Sequence, residues 1–544
     1  MRKFSSKLQL KNIGIILNST DCNRYIYETI QTLAGHDKIK LFFLIHDNND
    51  TINNSIEMLI YKLLINIEYN IVSRLVPQFA KEIKKHKRIL SIKEFTKHSS
   101  DNLVYKLKED LEKIKSLDLD LIFKADDSQF LKDEILTLAK DGVISIEYSD
   151  TRWNRSGVTA FWELYLRKSS IGFTIQKLSH KLQNNATLFK GEIAISRLLG
   201  ENIIDLYKES NPYVAKIFID YAEQGTLPTP EKKIPFAGPR LTMPSLLQSM
   251  NYALKTGWLL LTLLINKKIL KKESRWSVAF VPTNWEDANL QQSIEIKTPE
   301  NRFFADPFII TREGRTICYV EDFSYDKQLA CISAIEIFED NSYEILEPVI
   351  EESFHMSFPF LLEFEGSLYM IPETSQSNSI RLYKCIDFPL KWKYQQDIMD
   401  NCSAADTMIF KHEQKWWLFT NMATKNNNDQ AAQLFAYYSD HPFSNSWMPH
   451  SLNPLVFNSN FGRNAGLLPV KNALPVRARQ KQDFNMYGAS FSLAEISQLT
   501  PSTYKEKELC QILPDFLPNI KGCHHIHSNN HFTVFDFMRN EKTI

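Results

Sequence analysis

One short pattern recurs in the second half of the chain and limits what that half can fold into. Ala305-Asp306-Pro307-Phe308-Ile309 returns as Ser357-Phe358-Pro359-Phe360-Leu361, and again as Ala405-Asp406-Thr407-Met408-Ile409. Each copy is followed by a few polar residues and then an apolar-aromatic run, at 317–320, 368–371 and 416–419. The phase is kept, because the step from Pro307 to Glu321 equals that from Pro359 to Glu373 and that from Thr407 to Asn421 (321 − 307, 373 − 359, 421 − 407). Successive copies recur at steps of 52 and then 48 (359 − 307, 407 − 359). Strand-turn-strand units at a period of ~40–50 residues are the sequence mark of propeller blades. A fourth unit is centred on 463–468, with 477–483 and 487–493, and a fifth on 522–527 with 532–536. Five units predict a five-bladed β-propeller over 274–544, with innermost strands starting near Asp306, Phe358, Asp406, Asn464 and His525.

Residues 1–222 read differently. Compact apolar runs at 12–17, 39–45, 119–123 and 142–146 alternate with helical patterns at 24–33, 107–117 and 130–139. That order predicts a mostly parallel sheet with helices on both faces. Ligands of such sheets sit beyond the carboxyl ends of the strands, which here means the loops 18–23 and 147–157. Neither loop carries a dinucleotide-type glycine fingerprint or a phosphate-loop lysine. The stretch 223–273 is a linker. It opens with Gly225, Pro228, Pro230, Pro235 and Pro239, then runs through an apolar segment, 258–265, into Lys267, Lys268, Lys271 and Lys272. Eight apolar residues cannot cross a bilayer, which needs ~20. The segment is read first as a helix packed on a domain, with peripheral membrane contact through 258–272 as the alternative.

A chain of 544 residues is too long for one core and implies two or three domains. Its 64 Lys and Arg balance 64 Asp and Glu, so no global field draws it to nucleic acid. The seven cysteines form no C-x-x-C pair, which points to buried thiols in a reducing compartment rather than a disulfide framework. The basic N-terminus has no apolar core of a secretory signal. The expectation is a cytoplasmic protein, with attachment to the inner membrane face left open.

Two resemblances add to this reading. In the first half, Gly142 to Ser149, Arg155-Ser156-Gly157, Ala160 to Glu163, Ile171 to Ile175 and Leu188 to Glu192 resemble the formyltransferase fold of methionyl-tRNA formyltransferase and the sugar N-formyltransferases. That resemblance implies a Rossmann-type sheet whose site would lie around Ser145, Glu147 and Arg155. In the family an Asn and a His stand where this chain has Ser145 and Glu147. The family Asp falls near 183–186, where this chain has no carboxylate. The resemblance therefore implies the fold with a degenerate catalytic motif. In the second half, Arg302 to Phe308, Phe358 to Phe360 with Ile371 to Thr374, Arg463 to Gly466, Arg479 to Asp483 with Tyr487-Gly488, and Gly522 to His525 resemble another domain. It is the N-terminal propeller of glucosamine inositolphosphorylceramide transferases, related to family 43 glycoside hydrolases. This implies carbohydrate chemistry in surface-glycan assembly.

Glycosidic chemistry needs two carboxylates with separated pKa values. Asp306 matches the motif that holds the catalytic base in the related hydrolases, and Glu373 or Asp406 is its expected partner. Equal positions of different blades meet around a propeller axis, so Glu321, Asn421 and Asp536 are expected near the same rim. Arg463 and Arg479 are expected to hold a phosphate or carboxylate in bidentate fashion, with Gln482, Asp483, Tyr487 and His525 completing the substrate site. His525 and His527 share a strand face but lack a third ligand by spacing, so no metal and no cofactor is expected. The expected function is a carbohydrate-active transferase of glycosyltransferase type in cell-surface polysaccharide biosynthesis. Its partner would be a sugar, a nucleotide sugar or a lipid-linked glycan. A non-catalytic glycan-binding scaffold, a sugar N-formyltransferase-like enzyme and a glycosidase are the alternatives.

Overall fold

The computed structural model describes residues 10–46, 55–75, 77–96, 103–125, 133–151, 158–181, 184–231, 241–422, 430–470 and 473–542. The chain divides into two compact units, 1–257 and 258–544.

The first unit is built on a seven-stranded sheet. Its order is Val104–Lys106, Ile39–Ile45, Lys11–Leu17, Leu121–Lys124, Val143–Glu147, Ser170–Lys177 and Ala186–Ala194. The first five strands run parallel and the last two turn antiparallel. Ile13, Ile15, Phe43, Leu44, Leu121, Ile122 and Phe123 are fully buried. Such unbroken apolar strands are what a sheet covered on both faces requires. The helix Arg24–Ala34 starts where Asn23 accepts a hydrogen bond from the Ile26 N–H, and it buries Tyr25, Ile26, Thr29, Ile30 and Leu33. That spacing is one face of a 3.6-residue period.

Two long helices, Ile56–Leu75 and Leu199–Gln224, lie outside the strand-helix alternation expected from patterning. The second carries Pro212 in its interior, a residue that normally breaks a helix. Around the proline, Ser210 Oγ and Asn211 Nδ2 donate to the Leu206 and Tyr207 carbonyls. Two expected helices are shorter than read, at Leu111–Lys115 and Asp133–Leu136.

The second unit is the five-bladed propeller. Blade 1 is Arg302–Arg312, Arg315–Ser324, Leu329–Ile337 and Tyr343–Ile350. Blade 2 is Ser357–Phe364, Ser367–Glu373, Ser379–Asp387 and Lys391–Asp400; blade 3 is Ala404–His412, Lys415–Met422, Gln433–Ser439 and Met448–Pro449. Blade 4 is Asn464–Leu468, Val476–Asp483, Met486–Thr500 and Thr503–Ile512. The innermost strands neighbour one another in cyclic order, closing the ring.

Blade 5 is shared between the two ends of the propeller sequence. Its inner strand Ile526–Ser528 pairs with Thr533–Lys542, which pairs antiparallel with Lys272–Val281, from Lys272 opposite Lys542 to Val281 opposite Thr533. The strand Lys272–Val281 thus belongs to the fifth blade, although it precedes the first blade in sequence. This closure pairs the edge of the last C-terminal strand, which would otherwise present unpaired backbone groups.

The recurring pentapeptide is a recurring bulge. Pairing to the second strand shifts register between Ala305 and Phe308, Ser357 and Phe360, Ala405 and Met408, and Asn464 and Leu467. Within it, Asp306, Phe358 and Asp406 have φ of 48°, 46° and 48°, and Gly466 has 120°. A bulge bends the strand and re-aims a side chain. Asp tolerates the left-handed region, whereas Phe seldom adopts it. Phe358 is held there by packing: it is fully buried, with its ring 4.9 Å from that of Phe308.

Candidate functional site

The bulge of blade 1 turns Asp306 toward its neighbours on both sides. Asp306 Oδ2 accepts the Phe358 N–H of blade 2 at 3.3 Å. Its Oδ1 lies 3.3 Å from His524 Nε2 and 3.7 Å from His525 Nδ1. Behind it, fully buried Asp536 accepts the backbone N–H groups of His524 and His525 at 2.9 and 3.0 Å, and that of Asp306 at 3.2 Å. His524 Nδ1 is 2.9 Å from Asp536 Oδ2, so the imidazole bridges two carboxylates.

These contacts fix the charge states. Burial would lower the His524 pKa, but Asp536 and Asp306 raise it to about 10. Burial would raise Asp306, yet His524, His525 and Arg463 hold it at about 2. His525 is the counter-example: burial pushes it down to about 4 despite the same two carboxylates. His524 is therefore an imidazolium facing ionised Asp306, and His525 is neutral.

Next to this pair, Glu321 Oε1 is 3.2 Å from His355 Nε2. Burial raises the Glu321 carboxyl, opposed by His355. Burial lowers His355, but Glu321, Glu373 and Asp306 more than reverse this, leaving it raised. Across the site, Arg463 Nε and Nη2 donate to Asp406 at 2.6 and 3.4 Å, and Nη2 lies 3.5 Å from Glu373 Oε2. Burial, Glu373 and Asp306 push Asp406 up to about 8 against the pull of Arg463.

These groups surround one cavity of about 210 Å³, enough for a single sugar ring. Its polar lining includes Asp306, Glu321, Glu373, His355, Arg463 and His524, and Trp276, Phe303 and Tyr487 form aromatic walls. The Trp276 and Tyr487 rings lie 4.0 and 5.5 Å from the His524 ring. Gly488 makes this approach possible, since a β-carbon there would lie 2.7 Å from Trp276 and 3.0 Å from His524.

The constant step of the repeat has a direct structural meaning. Glu321, Glu373 and Asn421 pair across from Ala305, Ser357 and Ala405, one residue before each bulge residue. The structure brings Asp306, Glu373, Arg463 and Tyr487 to the cavity. Asp406 lies behind Arg463 and does not line it. His525 is fully buried beneath, its ring 4.6 Å from Phe308 and 5.1 Å from Phe358. Gln482 accepts the Gly488 N–H at 3.1 Å, behind the Tyr487 wall.

Two expected ligand contacts fall elsewhere. Arg479 occupies in blade 4 the phase that Glu321 holds in blade 1, opposite Asn464. Its guanidinium is taken up by Ser492, Glu506 and Glu508 at 2.6–3.1 Å, so it braces outer strands. Asp483 is exposed at a hairpin turn, bonded to the Phe484 N–H. Asn421 is a fully buried pin, donating to the Gln433 and Gly462 carbonyls and accepting the Asn464 N–H. Sequence reasoning missed His355, Trp276 and Phe303 as site residues and chose His525 over His524.

Asp306, His524 and Asp536 each place one donor atom within 4.8 Å of the others, the spacing of a cation site. A cation there would bind the neutral form of His524, in place of the proton that His524 otherwise carries between the two carboxylates.

In the first unit, Ser145 and Glu147 lie on the strand Val143–Glu147. Ser145 is buried, and burial raises the Glu147 carboxyl, opposed by Lys124. Glu147 is 3.5 Å from Gln176 Nε2. Arg155, with Ser156 and Gly157, lies outside the described residues. An open cleft of about 680 Å³ is lined by Leu119, Lys140, Gly142 and Lys177. It lies at the amino ends of the parallel strands, away from the edge where ligands of such sheets bind.

Residues 271–522 match the family model described as "Glucosamine inositolphosphorylceramide transferase 1, N-terminal". The Arabidopsis thaliana glucosamine inositolphosphorylceramide transferase 1 is 30% identical over 215 residues, 39% of this chain and 28% of that protein. The chain thus spans under a third of that relative's length. A family 117 glycoside hydrolase of Zobellia galactanivorans aligns with 49% of this chain and 91% of its own at 12% identity, with a TM-score of 0.32. A sugar N-formyltransferase from a Shewanella species aligns with 45% of this chain and 87% of its own at 14% identity, with a TM-score of 0.28.

Proposed function

We propose that the propeller cavity binds a sugar unit, and that the protein is a carbohydrate-active transferase of glycosyltransferase type in cell-surface polysaccharide biosynthesis. The observation that carries this is the convergence of Asp306, Glu321, Glu373, Arg463 and two imidazoles on one small cavity with aromatic walls. Carboxylates and a guanidinium bond hydroxyl groups in fixed directions, and aromatic faces pack against the apolar face of a sugar ring. The match of 271–522 to the N-terminal region of a glycan transferase supports the same substrate class.

Chemistry at this site assigns two roles. Asp306, ionised and positioned by His524, is the base or nucleophile. Glu321, raised by burial and paired with His355, is the acid that protonates a leaving oxygen. Two carboxyl groups in environments that separate their pKa values is the arrangement acid–base catalysis at a sugar centre needs. Glu373 accepts from a sugar hydroxyl, and Arg463 donates to the sugar or to the phosphate of an activated donor, with Asp406 fixing Arg463. Formyl transfer is not proposed for the first unit, since Glu147 stands where an imidazole is needed.

A second reading, glycan binding without turnover, is favoured by one observation. The carboxylates at the cavity are already engaged: Asp306 by the Phe358 N–H, Glu321 by His355 and Glu373 by Ser375 and Arg463. Incubation with a panel of nucleotide sugars and glycan acceptors separates the two. Transferase action predicts donor consumption that Asp306→Asn lowers by about 10²–10⁴-fold. Donor or acceptor binding without consumption supports the second reading. No binding of any sugar refutes both.

A further inference from the structure

The helix Ile56–Leu75 has 20 residues and starts where Ser55 Oγ accepts the Met58 N–H at 3.2 Å. One of its faces is docked within the first unit. Tyr61, Glu68, Tyr69 and Val72 are buried. Tyr61 donates to the Thr159 carbonyl at 3.0 Å, and Tyr69 and Val72 pack with Ile83 and Ile204. The opposite face is apolar as well. At 100° per residue, Ile56, Leu59, Leu63, Ile67 and Ile71 share one arc of about 120° on the side away from Tyr61 and Val72. These five are 42–71% exposed. A helix that is apolar on all sides is normally buried on all sides, and contiguous apolar surface left in water marks an interaction site.

The order of residues along the stripe selects the partner. A two-fold interface is self-complementary: where residue i meets j, j meets i. Leu59 and Ile71 are equally spaced about Ile65, and so are Leu63 and Ile67. Antiparallel pairing of two such helices, centred on Ile65, sets Leu63 against Ile67 of the second copy and Leu59 against Ile71, each contact repeated by symmetry. Charge agrees with this arrangement. The same centre brings Ile56 to Arg74 of the second copy, with Glu57 beside it. Glu57 and Arg74 are both exposed, and neither has an ion-pair partner among the described residues. Parallel pairing would instead bring like charges together. A lipid surface fits less well, because the exposed charges of the helix are Glu57, Lys62 and Arg74, without the basic cluster that an anionic membrane selects.

We propose that the exposed stripe of Ile56–Leu75 is the interface of a two-fold dimer of this chain, with the two helices antiparallel about Ile65. The dimer does not depend on the sugar reading. The test is sedimentation equilibrium of the full chain over a concentration series, in which a reversible dimer is expected. A Leu63→Glu, Ile67→Glu variant should remain monomeric with its far-ultraviolet circular dichroism unchanged, because both positions are exposed. Glu57→Arg or Arg74→Glu alone should weaken the dimer about fivefold to tenfold, since each dimer holds two such pairs. The two reversals combined should restore it, which neither misfolding nor a parallel arrangement predicts. Three results would overturn the proposal. They are a wild type that stays monomeric, whether or not it sediments with lipid vesicles, a dimer that the Leu63, Ile67 variant retains, or single reversals that have no effect or are not relieved in combination.

Discussion

A buried imidazolium between Asp306 and Asp536 leaves a signature in the pH dependence of stability. His524 is raised from 6.5 to about 10, so its contribution is complete below pH 6.5 and disappears as pH rises through about 10. Asp306 is lowered from 3.8 to about 2, so its contribution is complete above pH 3.8 and disappears as pH falls toward 2. Thermal unfolding of the second unit should therefore shift down on the alkaline side, as pH rises from about 6.5 toward 10. His524→Gln should cost about 3–5 kcal/mol at pH 6, as expected for removing one partner of a buried pair, and should flatten that alkaline decline. An unchanged alkaline slope in the variant would count against the imidazolium. Arg479 makes the contrasting case. Because Ser492, Glu506 and Glu508 occupy it, Arg479→Met should lower stability by about 2–4 kcal/mol and leave sugar affinity of the folded protein unchanged. A large affinity loss with normal stability would restore its expected role as a ligand contact. At this scale the sequence was readable where repetition placed a residue, as with Asp306, Glu321 and Glu373. It was not readable where the partner's identity decides direction, since Arg479 shares the phase of Glu321 but is drawn to outer-strand glutamates. His355 stands two residues before Ser357 as Phe303 stands two before Ala305, but the two share no chemistry that the repeat could mark.

The recurring element is the bulge, and its geometry differs among blades. In blade 4 the close approach falls on Gly466, at φ 120°, where a β-carbon would overlap the Ile526 carbonyl of blade 5. Gly466→Ala should therefore destabilise the propeller by more than about 2 kcal/mol, through backbone strain and steric displacement together. Denaturant unfolding checks this, and a change under about 0.5 kcal/mol, the range of an ordinary surface substitution, would contradict the inter-blade contact. The pentapeptide repeat disclosed where these bulges fall but not what they do. A two-residue period describes regular strands, while a bulge inserts a residue and re-aims the side chains beyond it. The long helix Leu199–Gln224 stayed hidden for a related reason: a proline signal was overridden by local side-chain bonding.

Across the whole molecule, the parallel sheet and the five-bladed ring were legible from patterning, because both depend on periodicity summed over many residues. Closure of the ring was not, because the pairing of Lys272–Val281 with Thr533–Lys542 joins the two opposite ends of the propeller sequence. It leads to a fragment prediction: residues 258–544 should unfold cooperatively, whereas 282–544, lacking the closing strand, should not give a cooperative transition. Equal stability of the two fragments would contradict the shared fifth blade. The function assigned to the ring rests on Asp306 facing a bound sugar. Thermal unfolding of wild type and Asp306→Asn, each with the same panel of monosaccharides and nucleotide sugars, tests this. At least one sugar at 100 times its dissociation constant should stabilise the wild type by about 2.7 kcal/mol, and the variant, folded at neutral pH, should lose most of that gain. Equal stabilisation of both proteins, or of neither by any sugar, would contradict a sugar site at Asp306.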